Sequence, residues 1–218
     1  MPTSWNDGPA RTTADHGRRL SGDLDGDRDR LSALWQHQFP KGPPVAHELR
    51  TAYSDRWVRF HSLPGSKRYP ETEDEYAVVL HRYNTVLNEL FEGTDVHVVT
   101  VAWSWEPGGQ ELPPERHEAH PQGTRWMTLA YDDDPDPELH TYTHLYADHR
   151  PWRPGTVDGI LREVADDVLS GVIITDGGLT RIHHPYDGGA DVIATSPEER
   201  DRLRESHRDW LSRHPSGL

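Results

Sequence analysis

The chain has 218 residues, with 23 Lys and Arg against 37 Asp and Glu, and no cysteine. That length can bury a sizeable core in one domain, and the missing thiols exclude disulfides, thiolate metal sites and cysteine nucleophiles. The formal net charge of -14 repels phosphate backbones, so it argues against nucleic acid and anionic membranes and favours a basic protein partner.

Residues 1–29 are rich in Asp, Gly, Arg and Thr and are expected to form a disordered tail ahead of a single domain over 30–218. Asp23, Asp25, Asp27 and Asp29 alternate like the start of a calcium loop. Such a loop needs glycine at its sixth position and glutamate at its twelfth, where this chain has Arg28 and Leu34, so no metal is assigned. Leu31, Leu34, Trp35 and Phe39 predict a helix, Pro40 to Pro44 a linker, and Leu49 with Tyr53 a second short helix. Trp57 to His61 alternates as a strand, and Leu63 to Pro70 is a loop.

Tyr76, Val79, Leu80, Tyr83, Val86, Leu87, Leu90 and Phe91 recur at three-and-four spacing and predict a long core helix. Thr72 and Glu75 read as its capping box and Gly93 as its stop. Val96 to Trp105 is β-branched and aromatic on both faces and reads as a central strand buried on both sides. Glu106 to Gly123 is a long excursion, Arg125 to Tyr131 a strand, and Asp132 to Pro137 a solvated acidic turn. From Leu139 to Ala147, His140, Tyr142, His144 and Tyr146 alternate with Thr141, Thr143, Leu145 and Ala147.

Thr156 is placed to cap a helix with an inner face of Val157, Ile160, Leu161, Val164 and Val168, ended by Gly171. Two hairpins follow, turning at Asp176 to Gly178 and at Asp187 to Gly189. The last helix starts at Ser196, Pro197 and Glu199 and turns Leu203, Trp210 and Leu211 inward. The pattern predicts an α+β domain with a mainly antiparallel sheet of about six or seven strands and three to five helices.

The run Ile182-His183-His184-Pro185-Tyr186-Asp187-Gly188-Gly189-Ala190-Asp191-Val192-Ile193-Ala194 resembles a bacterial, actinobacterial-type family known only as a domain of unknown function. That family's pattern is His-Pro-Tyr-Asp-Asp-Arg-Gly-Met-Asp before an apolar strand, and Gly188 and Gly189 here stand where it has Asp and Arg. The resemblance implies a shared fold and carries no activity.

No catalytic-serine elbow, phosphate loop, dinucleotide fingerprint or zincin helix occurs, which leans away from an enzyme, and no cofactor is expected. His117 and His120, with Glu115 and Glu118, have ligand-like types but read as a solvated loop. His140 and His144 lie about 13 Å apart on a strand and cannot share an ion. The least ordinary feature is positive charge at Arg56, Arg59, His61, Lys67 and Arg68 in so acidic a chain. Arg59, His61, Lys67 and Arg68 could hold a carboxylate or phosphate, or could pair with acids of the same chain. Two functions remain: a cytoplasmic, non-enzymatic binding module, such as an immunity-type antidote to a basic partner, and a small enzyme or ligand-binding domain using that patch.

Overall fold

The computed structural model describes residues 18–108, 118–131 and 134–212. Among them are five helices, α1 (Arg18–Gln38), α2 (Ala46–Ala52), α3 (Glu73–Phe91), α4 (Asp158–Ala165) and α5 (Pro197–Ser206). Seven strands, β1 (Trp57–His61), β2 (Asp95–Ser104), β3 (Thr124–Tyr131), β4 (Thr141–Pro151), β5 (Ile173–Asp176), β6 (Ile182–Tyr186) and β7 (Gly189–Ile193), form one sheet. Its order is β1-β7-β6-β5-β2-β4-β3, and every neighbouring pair is antiparallel. The fold is α+β, as the patterning predicts.

Alternation along the strands sends side chains into two cores, one on each face of the sheet. Val58, Phe60, Val96, Val98, Ile174 and Val192 pack under α3, α4 and α5. Val99, Leu145, Ala147, Ile182 and Ile193 face the other way, against Leu31, Trp35 and Phe39 of the α1 segment and Leu49 of α2. The central strand β2 therefore feeds both layers. On α3, Val79, Tyr83, Val86, Leu87, Leu90 and Phe91 are buried, each contributing about 1.5 to 3 kcal/mol of transfer free energy.

Both predicted capping boxes form in a variant geometry. Thr72 accepts from the Glu75 N–H at 3.3 Å, but the Glu75 carboxylate turns back to the Glu71 N–H at 2.7 Å, one residue before the cap. Ser196 and Glu199 repeat this, with Glu199 Oε2 reaching the Thr195 N–H at 2.7 Å. Each glutamate also binds a cation, Lys67 or Arg181, which fixes its direction.

Several expectations change. α1 reaches back to Arg18, so the helix expected from Leu31 begins inside the stretch assigned to the tail. Asp27 and Asp29 thus lie on a helix, while residues 1–17 lie outside the described residues. α4 starts one residue later than Thr156 predicts, with Val157 at the cap, and ends at Ala165, because Asp167 takes a positive φ of 59° and breaks the periodicity before Val168, which is exposed. β2 is not buried on both sides throughout, since Trp103 faces solvent. At the β6–β7 turn the two glycines serve different ends. Gly188 has φ 143°, whereas a Cβ on Gly189 would sit 2.3 Å from the Phe60 carbonyl oxygen of β1.

Candidate functional site

Strand register brings Arg59 of β1 opposite Asp191 of β7. The guanidinium binds that carboxylate through both oxygens, at 2.7 and 2.9 Å, and lies 4.8 Å from the Tyr186 ring centre. Burial acts to lower the Arg59 pKa, but the bonds and charge of Asp191 outweigh it and raise it. Arg68 Nη2 donates to Asp187 Oδ1 at 3.0 Å, and the Tyr69 hydroxyl donates to Asp187 Oδ2 at 2.8 Å. Lys67 turns away to the start of α3, with Nζ 2.6 Å from Glu75 and 3.2 Å from Glu71. Burial lowers the pKa of His61, whose Nε2 is buried without a partner.

Arg59 and Arg68 thus meet the two acids of the His-Pro-Tyr-Asp-x-Gly-x-Asp run, while Lys67 leaves the group. Each of the three cations faces a carboxylate of the chain, so an anionic ligand there has to displace one.

His184, which opens that run, and His183 before it point to opposite faces of the sheet, as the strand period requires. His183 is fully buried beneath α3, 5.8 Å from the Tyr83 ring and edge-on to it, with neither ring nitrogen partnered. Burial pushes its pKa down to about 3. His184 Nδ1 lies 2.8 Å from the Val172 carbonyl on the other face. The Tyr83 hydroxyl reaches the carbonyls of Tyr186 at 2.8 Å and Gly189 at 3.0 Å. The run's polar atoms are used mostly to fasten β6, β7 and α3 together.

A second polar group lies on the α3 side of β2, β3 and β4, which sequence patterning did not assemble. His120 is fully buried, correcting its placement in a solvated loop. Its Nδ1 is 2.9 Å from Thr100 Oγ1, and its Nε2 stands 3.5 Å from Asp148, too far for a full hydrogen bond. Arg150 pairs with the same carboxylate; burial acts to raise the Asp148 pKa, but its contacts with His120 and Arg150 outweigh that and hold it down. Further along, His144 lies 2.8 Å from Ser104 Oγ and 2.9 Å from Thr128 Oγ1. The signal was the alternation of Tyr142, His144 and Tyr146, continued by Asp148 and Arg150. Among the described residues no group of three or more His, Asp or Glu is placed to hold a metal. His117 and Glu115 lie outside the described residues.

The remaining feature is apolar. Six large hydrophobic side chains are exposed among the described residues, and four of them, Trp103, Trp105, Tyr131 and Leu139, gather where β2 ends, β3 ends and β4 begins. Register places Trp103, Thr143 and Leu129 in a row across β2, β4 and β3, on the face that α1 covers elsewhere. The Trp103 and Trp105 rings meet edge-on at 4.5 Å while remaining 54% and 57% exposed. Around them Glu106, Asp134, Asp136 and Glu138 are exposed acids. Arg125, the one Lys or Arg among the described residues from 101 to 149, is held to the Gly108 carbonyl and the Tyr146 hydroxyl.

The profile of a family described as Domain of unknown function (DUF3885) matches residues 45–215. The chain belongs to this family, in agreement with the resemblance read from its C-terminal run. No curated protein and no solved structure matches it. Among the described residues no helix is long and apolar enough to cross a membrane.

Proposed function

We propose that this member of the family is a non-enzymatic binding module that takes a basic protein partner at the aromatic end of its sheet, as an antidote would cover a cationic toxin. The observation that carries the proposal is the contacting pair Trp103 and Trp105, each more than half exposed and flanked by exposed acids. Tryptophan is enriched among the few interface residues that carry most of the binding energy. Covering half of one indole removes about 100 Å² from water, about 2.5 kcal/mol. The net charge of -14 draws a cationic partner in and keeps copies of this chain apart. A cytoplasmic setting, away from nucleic acid and membranes, belongs to the same proposal.

The alternative, an anion held by Arg59, His61, Lys67 and Arg68, requires exchange of Asp191, Glu75 and Asp187 for the ligand. No such cost attaches to the aromatic end.

Selection of a random-peptide library on the immobilised chain tests the proposal. Enriched peptides should combine Lys or Arg with apolar residues, and Trp103→Ala or Trp105→Ala should weaken them by about 2 kcal/mol, about thirtyfold. Both variants should keep their unfolding free energy within about 0.5 kcal/mol. Enrichment of acidic peptides, or binding indifferent to both substitutions, contradicts it.

A further inference from the structure

We infer that the partner contributes an extended, alternating basic and apolar segment that pairs with the outer side of β3 as an additional strand. This rests on the aromatic end being the binding surface and specifies how the partner is held there. The sheet has two edges, β1 and β3, and they are built differently. β1 has five residues and is blunted by charge at Arg59 and by His61. β3 has eight residues, ending Met-Thr-Leu-Ala-Tyr with no Pro and no charge, and its one irregularity lies near its start, between Arg125 and Met127. Proteins ordinarily protect a long edge with charges, prolines or bulges, because unpaired N–H and C=O groups recruit further strands.

Among the described residues no backbone hydrogen bond reaches the outer side of β3 from Trp126 to Tyr131. The edge is also continuous with the aromatic surface. Leu129 and Tyr131 point to the Trp103 side of the sheet, so an added strand extends the row of Trp103, Thr143 and Leu129 by one position. Apolar side chains at every second position of the added strand lie along that row. The acids Asp134, Asp136 and Glu138, in the connection from β3 to β4, select Lys or Arg in the segment. They also disfavour pairing of β3 with a second copy of this acidic chain, which would bring like charges together. Main-chain bonding gives affinity in such a mode, and alternate side chains give specificity.

The probe is a synthetic octapeptide alternating Lys and Val, added to the full chain up to millimolar concentration. It should bind, and amide hydrogen exchange should slow at alternate β3 residues between Trp126 and Tyr131. N-methylation of one alternating set of its amides, those facing β3, should weaken binding by about tenfold per bond removed, while methylation of the other set leaves it unchanged. Binding that is lost in Trp105→Ala but insensitive to either methylated set, with unchanged β3 exchange, overturns the added strand and leaves the aromatic surface standing. No binding of the octapeptide at millimolar concentration overturns the added strand as well, and the library selection then decides the surface separately. A change in exchange at β1 in place of β3 assigns the pairing to the wrong edge and has the same consequence.

Discussion

Arg59 and Arg68 are the same residue type, paired to Asp191 of β7 and to Asp187 of the turn before it, yet burial gives their pairs different worth. The Arg59 side chain is 12% exposed and its Asp191 partner 5%, so Arg59→Gln leaves a carboxylate buried without a countercharge and should cost about 3 kcal/mol in chemical denaturation. Arg68 is 65% exposed and its Asp187 partner, 9% exposed, keeps the Tyr69 hydroxyl as a donor, so Arg68→Gln should cost only about 0 to 1 kcal/mol. Equal effects from both would contradict this assignment. His183 gives a pH test. Its pKa is about 3 in the fold against 6.5 ordinarily, so below pH 6.5 the unfolded chain takes up a proton that the folded chain refuses. Stability from this group is complete above that pH and falls as pH drops toward about 3, by about 1.4 kcal/mol per unit. His183→Leu should therefore gain on the parent steadily as the solution is acidified below 6.5, and parallel stability curves would contradict the burial. The cations were legible as chemistry in the sequence. Their partners were not, because Asp191 meets Arg59 only through the pairing of β1 with β7, far apart in the chain.

Helix ends and alternating strands were the legible elements. Thr72 and Ser196 cap α3 and α5 as the spacing of Thr72 to Glu75 and Ser196 to Glu199 predicts, and Thr72→Ala should cost about 1 kcal/mol. The alternation expected from Leu139 assigns the two faces of β4 correctly from Thr141 to Ala147, while Leu139 itself falls in a short 3-10 helix before the strand. What local pattern cannot carry is a requirement imposed by a distant strand. Gly189 reads as a second turn glycine, but it is needed because β1 passes so close that a side chain would strike the Phe60 carbonyl. Gly189→Val should accordingly be the more damaging change, disrupting the β1–β7 pairing. Gly188→Val should cost about 1 to 3 kcal/mol from its φ of 143° alone. Thermal melting ranks the two, and the reverse order would contradict the close approach. Edge status is equally non-local. Nothing in Arg125 to Tyr131 says that only one neighbour pairs with it, since that depends on the order of all seven strands.

At the scale of the whole molecule, fold class and charge followed from the sequence, whereas the candidate surface did not. Trp103 and Trp105 continue the apolar run of β2 and read as interior. They are exposed because the layer containing α1 packs on Val99, Leu145, Ala147 and Trp126 and leaves the end of the sheet uncovered. The polar half of the opposite face, with His120 and Asp148, likewise emerges only when β2, β3 and β4 are side by side. The acidic balance is a property of the whole chain, and it gives the aromatic end its sign of partner. The chain carries eight tryptophans, whose indole N–H signals report different places in the fold, so nuclear magnetic resonance with the Lys and Val octapeptide examines them all at once. The predicted result is saturable movement of the Trp103 and Trp105 signals, with Trp152, buried in the core on the other face of the sheet, unmoved. Octapeptide binding that leaves the Trp103 and Trp105 signals stationary, as when saturable shifts are confined to Trp57 beside Arg59, would contradict the proposed surface.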